Sequence, residues 1–218
     1  MARDANEAIN SYVTDMLALE RHIQTALKGQ IEDFDDDYPD VVRHLRMIER
    51  EIEGHIDGLQ VVSERRAESG QGLADVVKRA GSAVLGAGAA AIDFVRGEKL
   101  PKNLRDDYTA TSLAVIGYVM LHTTALSLGD QEVADLAHRH LRDHARNVML
   151  LHNVIPGAVV SFLRNDGLAP RDVLSEVSRN IESVWADQSG TVPEASDIGA
   201  ADYRIRDTGT RDPGERLQ

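Results

Sequence analysis

The stretch Ile9-Asn10-Ser11-Tyr12-Val13-Thr14-Asp15-Met16-Leu17-Ala18-Leu19-Glu20-Arg21-His22-Ile23-Gln24-Thr25-Ala26-Leu27 sets Ile9, Val13, Met16, Ile23 and Leu27 at helical spacing. One apolar stripe on an α-helix results. Glu20 falls inside that stripe, four residues after Met16 and three before Ile23. A carboxylate there faces the core rather than water. The helix is expected over about 4–28, with Gly29 as its stop.

The same pattern recurs along the chain. Tyr38-Pro39-Asp40 opens a second helix with Pro at a tolerated first-turn position. Its stripe is Val41, Leu45, Ile48, Ile52, Ile56 and Leu59, with Glu51 and His55 four apart beside it. It should end near Glu68. Residues 73–96 read as a helix rich in small residues, with a break near Gly86-Ala87-Gly88. A third long helix is expected over 103–128, with Tyr108, Thr111, Val115, Tyr118, His122 and Ala125 inward. A fourth spans 130–154, with Val133, Ala137, Leu141, Val148 and Leu151 inward and His140, His144 and Asn147 on the same side. Pro156-Gly157 should interrupt it before a short helix over 158–163. The last helix starts at Ala169-Pro170-Arg171 and shows Val173, Val177, Ile181, Val184 and Trp185. No stretch of useful length alternates as a strand does. The fold class expected is all-α: an antiparallel helical bundle over 1–187, with additional short helices and a disordered polar tail over 188–218.

Composition narrows the function. With 24 basic and 36 acidic residues the net charge is −12, a balance that repels phosphate backbones and argues against nucleic-acid binding. The chain has no cysteine, which excludes disulfides, thiolate zinc sites and a cysteine nucleophile. It is 42% hydrophobic, enough for a core, and only 4% aromatic, which suits helices better than a β-sandwich. The start, Met1-Ala2-Arg3-Asp4, lacks the basic segment and apolar run of a signal peptide. The most apolar stretch, 80–95, is shorter than a membrane span and contains Asp93. A soluble, cytoplasmic protein without membrane contact is expected.

Glu20, Glu51, His55, His122, His140, His144 and Asn147 all project inward on this reading. Buried carboxylates must pair, protonate or hold a metal. Glu20, Glu51, His55 and His144 are therefore candidate ligands for iron or zinc, with His140, Asn147 and His122 secondary. The alternative is a buried network in which Glu20 accepts hydrogen bonds from His55 or His144. His140 and His144, four apart, could bind a metal together. His122 reads as a half-buried core residue and Asn147 as a hydrogen-bonding partner. Tyr108 and Tyr118 read as core residues with satisfied hydroxyls, and His138 and His152 as surface residues. No Gly-x-Ser-x-Gly elbow or phosphate loop is present.

Asp15-Met16-Leu17-Ala18-Leu19-Glu20-Arg21-His22, then Ala26-Leu27, resembles the first-helix signature of the bacterial ferritin-like stress proteins of the YciF type. Pro39-Asp40-Val41 with Glu51, His55 and Leu59 is similar to that family's second helix. Arg105-Asp106, Tyr118 and Leu128-Gly129 resemble its third. The resemblance covers roughly the first two-thirds of the chain. It implies a ferritin-like four-helix bundle, a homodimer, a link to bacterial stress responses and a dinuclear metal site with Glu20 as first-helix ligand. The sequence departs from the pattern at the chemistry. Gly54 stands where Glu-x-x-His would place histidine, and His55 comes one residue late. Ala114 stands at an expected glutamate, and His144 and Asn147 stand at an acidic pair. Two hard ferric ions need many oxygen ligands. The sequence thus leads to a divergent, non-catalytic stress-associated bundle with a degenerate dinuclear site. Its alternatives are a metal-binding protein with an altered His/Glu site and an interaction module that recruits a partner through the tail.

Overall fold

The computed structural model describes residues 4–68 and 99–188, and all the secondary structure among them is helical. In chain order the helices are α1 (Ala5–Phe34), α2 (Pro39–Glu68), α3 (Lys99–Leu128), α4 (Gln131–Asn165) and α5 (Leu174–Gln188). The expected segment 73–96 and the tail beyond Gln188 lie outside the described residues. Between Arg171 and Asp172 the chain divides into two units, the first holding α1–α4 and the second described through α5.

The stripes read from the sequence become the core. Ile9, Val13, Met16, Ile23 and Leu27 of α1 are buried, as are Val41, Leu45, Ile48, Ile52, Ile56 and Leu59 of α2. Each fully buried Leu or Ile is worth roughly 1.5–3 kcal/mol of transfer free energy. These faces, with Leu104, Ala114 and Leu121 of α3 and Val133, Ala137 and Leu151 of α4, make one cluster.

Ion pairs and hydrogen bonds fix the path of the chain. At one end Arg66 of α2 donates to Asn10 Oδ1 at 2.6 Å and Asn6 Oδ1 at 3.1 Å, and it pairs with Asp130 in the α3–α4 turn. At the other end Lys99 of α3 pairs with Asp33 of α1 at 3.2 Å, and Arg46 of α2 pairs with Asp35 at 2.7 Å. Helices α1 and α4 therefore run one way, and α2 and α3 the other. The end of α2 at Glu68 and the start of α3 at Lys99 therefore lie at opposite ends of the bundle.

Four boundaries differ from the sequence reading, one of them the start of α5, which lies at Leu174 rather than at 169–171. Helix α1 continues through Gly29 to Phe34, because Gln30 and Phe34 beyond the glycine are buried. A helical Gly costs about 1 kcal/mol against Ala, which this packing outweighs. Helix α3 starts at Lys99, four residues earlier than expected, with Pro101 in its first turn. Helix α4 runs through Pro156 to Asn165, so the expected separate short helix is its last two turns, anchored by buried Ala158 and Val160. The real stops are Gly129 and Gly167, whose φ values of 79° and 78° are left-handed and suit glycine. The Asp130 side chain then accepts from Val133 N at 3.1 Å and caps α4. In α5, Val173, just before it, and Val177 and Ile181 are half-buried, whereas Val184 and Trp185 are exposed.

By length and composition alone, α3 and α4 could each cross a membrane. Their faces toward the bundle nonetheless carry Asp107, Tyr118, His140, His144 and Asn147, all buried.

Candidate metal centre

Glu20 has no exposed surface. Its position in the α1 stripe aims it between α2, α3 and α4, and each of them supplies a partner. His144 Nε2 lies 2.8 Å from Glu20 Oε1, His55 Nδ1 lies 3.1 Å from it, and the Tyr118 hydroxyl donates to it at 2.6 Å. All three meet the same oxygen. The other one, Oε2, is buried without a partner among the described residues, and so is His144 Nδ1. Ligand atoms of Glu20, His55 and His144 lie within 4.8 Å of one another, so the three could hold a metal ion.

A second ring of contacts orients the first. His140 Nδ1 is 3.0 Å from the Tyr118 hydroxyl. Since Tyr118 donates to Glu20, it accepts from His140 Nδ1–H, which assigns the His140 tautomer. His140 also stacks on His55 with centroids 4.2 Å apart. His55 reaches outward too, with Nε2 3.4 Å from the half-exposed Asp143 carboxylate. A ligating histidine held through its other nitrogen by a carboxylate is a common metal-site arrangement.

The electrostatics follow from this crowding. Burial alone would raise the Glu20 pKa, but hydrogen bonds from His144 and His55, with their charge, hold it down at about 2. Burial pulls His55 down, yet the Glu20 hydrogen bond and charge outweigh it, with help from Asp143, and its pKa rises. Burial and the charge on His55 lower His140 to about 3, so it is neutral. Burial and the Glu20 charge push the Tyr118 hydroxyl well up. Glu20 is thus a carboxylate held by His55 and His144, with Tyr118 and His140 behind it.

The other expected site residues lie elsewhere. Glu51 accepts from Arg146 at 2.8 Å and from Asn147 Nδ2 at 3.0 Å, with its side chain 31% exposed. Asn147 is a hydrogen-bonding partner, but of Glu51. His122 is half-buried and donates from Nδ1 to the Ala134 carbonyl at 2.8 Å. His152, expected at the surface, is half-buried against Tyr108. Asp143 was not singled out in the sequence, although its spacing from His140 and Asn147 puts it on their face of α4.

A dinuclear ferric centre does not fit this donor set. Among the described residues Glu20 is the one carboxylate of the buried Glu/His/His cluster, α3 presents Ala114 rather than an acid to the core, and Glu51 is held by Arg146. A single ion fits, because one carboxylate and two imidazoles converge and an unpartnered oxygen is ready for it.

No protein-family model and no curated protein matches this chain. Among solved structures it is similar to a crystal structure of a protein from Xanthomonas campestris pv. campestris. The two are 21% identical with a TM-score of 0.58, over 75% of this chain and 99% of that one. At this identity the likeness is one of fold.

Proposed function

We propose that this protein binds one transition-metal ion inside a ferritin-like bundle through Glu20, His55 and His144. The carrying observation is Glu20 Oε2, an oxygen in a dry interior with no hydrogen-bond partner among the described residues, beside two converging imidazoles. Leaving such a group unpaired costs about 1–3 kcal/mol or more, and a cation removes that cost. Two nitrogens and one carboxylate suit Zn²⁺ or Fe²⁺. A bound ion would supply a Lewis acid and, as iron, a one-electron couple. Glu20 balances its charge, His55 and His144 give nitrogen donors, and Tyr118 and Asp143 hold Glu20 and His55 in place.

The second reading is a metal-free, non-catalytic network left from a dinuclear ancestor. It is favoured by the three donors that already meet on Oε1. Metal content after purification without chelator separates the two. The first reading expects about one equivalent in the parent, lost in Glu20→Ala and His144→Ala. No metal in the parent, with a melting temperature unmoved by added Zn²⁺ or Fe²⁺, would leave the network.

The YciF-type resemblance supports a bacterial stress role in the cytoplasm. A homodimer is supported by the outer face of α3. No Asp, Glu, Lys or Arg occurs from Tyr108 to Leu128, and Leu113, Ile116, Met120 and Leu126 are exposed there. In a chain of net charge −12 this uncharged face lets a second copy approach without repulsion. Ile116→Glu should convert a dimer to a monomer in analytical ultracentrifugation, and a monomeric parent would end the proposal. Partner recruitment by 188–218 rests on sequence alone.

A further inference from the structure

Glu20 and His144 have no surface of their own, so an ion must reach them past another residue. Helices α2 and α4 approach closely at Gly58. A methyl built there would meet Leu136 Cδ1 at 3.3 Å and His140 Nε2 at 3.4 Å. Outside this point is an open cavity of about 280 Å³ whose lining includes Asp57, Gly58, Val61, Glu132, Leu136 and Arg139. Gly58 lines the cavity and also lies against the edge of the His140 ring, so α2 puts no side chain into the gap between them.

His140 is 6% exposed, and its Nδ1–H is given to Tyr118. Its Nε2 therefore carries the lone pair, has no hydrogen-bond partner among the described residues and is turned toward Gly58. The ring behind it is that of His55, stacked at 4.2 Å, and the next group is Glu20. A nitrogen donor at the gap is thus followed by a nitrogen ligand inside.

We propose that the Gly58 gap is the route by which a divalent transition-metal ion passes from the outer cavity to Glu20, His55 and His144, with His140 Nε2 as the first nitrogen it meets. The proposal rests on the metal-binding reading above. The cavity rim carries two acids, Asp57 and Glu132, and two arginines, Arg65 and Arg139, with Arg65 and Glu132 paired at 2.6 Å. Its charge is balanced, so it does not concentrate cations in general. Selection comes from the imidazole, which binds Zn²⁺, Co²⁺ or Fe²⁺ in preference to Mg²⁺ or Ca²⁺. The competing route is on the opposite edge of His55, where Asp143 reaches solvent.

The test is Co²⁺ loading of the chelator-stripped full chain, followed by visible absorbance in a stopped-flow mixer, with final stoichiometry read separately. Gly58→Val should slow loading at least tenfold and Gly58→Ala a few-fold, both ending at the parent's stoichiometry. His140→Phe, which keeps a ring but removes the nitrogen, should also be slow. If Gly58→Val does not fold, Gly58→Ala and His140→Phe carry the test. Parent-like rates in the folded variants would overturn the route and leave the metal site standing. Slow loading in Asp143→Asn, with Gly58→Ala and His140→Phe unaffected, would overturn it in favour of the other edge. A parent that takes up no Co²⁺ at equilibrium would overturn the metal-binding reading and the route with it.

Discussion

Two carboxylates are buried to nearly the same depth in this bundle, Glu20 at 0% and Asp107 at 4% exposure, and they meet opposite fates. Glu20 has three partners on one oxygen and is held at about 2. Asp107 of α3 has one hydrogen bond given, from Gln30 Nε2 at 2.8 Å. Burial raises it to about 7, the Gln30 bond opposing and the Asp106 charge adding. Asp107 Oδ2, Gln30 Oε1 and Thr111 Oγ1 are left without partners among the described residues. Gln30 lies ten residues along α1 from Glu20, about 15 Å away. Depth does not set the charge of a buried acid. The number and charge of the donors around it do.

The largest expected effect comes from removing the better-served acid. In Glu20→Ala the Tyr118 hydroxyl, His55 and His144 lose their shared acceptor. Breaking a buried ion pair from one side costs about 3–5 kcal/mol. Urea unfolding of metal-stripped protein at pH 7 should show that loss. A change below 1 kcal/mol would mean that water already serves those donors and that the cluster is not dry.

Asp107 should produce a pH dependence of the opposite sign to that of Glu20. Its folded pKa, about 7, lies above the ordinary 3.8, so the native state holds the proton more tightly than the unfolded chain. The stability this gives is complete below pH 3.8 and disappears as pH rises through 7, about 4 kcal/mol in all. Glu20, with its pKa depressed from 4.5 to about 2, contributes stability present above pH 4.5 and lost as pH falls through 2. Asp107→Asn should flatten the curve between pH 4 and 8 and make the protein more stable than its parent at pH 8. An unchanged slope in Asp107→Asn would place the titration elsewhere.

The contrast between the two acids also marks what the sequence made legible. Glu20 was visible because α1 has polar residues around its stripe, so the period fixes the phase and the glutamate stands out inside it. His55, His140 and His144 were visible for the same reason on α2 and α4. On α3 the stretch from Tyr108 to Leu128 has no Asp, Glu, Lys or Arg, so no charged side sets the phase. The sequence puts Tyr108, Thr111, Val115, Tyr118, His122 and Ala125 inward; Thr111, Tyr118 and Ala125 are buried, Tyr108, Val115 and His122 are only half-buried, and the buried row is completed by Leu104, Asp107, Ala114 and Leu121. Asp107 was lost with that phase. Gly29 and Pro156 misled locally, since burial beyond them overrides their propensity. That Glu51 belongs to Arg146 depends on how two helices are juxtaposed, which no spacing within either helix encodes.

The smallest effects sharpen the comparison most, because they change one hydroxyl at each acid. Tyr118→Phe deletes a donor to the charged Glu20 Oε1 and should cost about 1.5–3 kcal/mol, the usual value for a hydrogen bond to an ionised group. It should also raise the pH at which Glu20 takes up a proton, since one of its three donors is gone. Thr111→Val removes a hydroxyl that is 1% exposed and unpartnered, while keeping a β-branched side chain of similar shape. It should be neutral or stabilising by up to about 1 kcal/mol, because a buried polar atom that makes no bond carries only its desolvation cost. Chemical denaturation of both variants in the same buffer gives the two signs directly. If Thr111→Val instead costs as much as Tyr118→Phe, the threonine hydroxyl is bonded in solution. Thr111 lies four residues after Asp107 on the same face of α3, so a Thr111→Val loss matched by a flatter pH dependence of stability between pH 4 and 8 would make its hydroxyl a second donor to that acid and remove the distinction between a crowded acid and a lonely one.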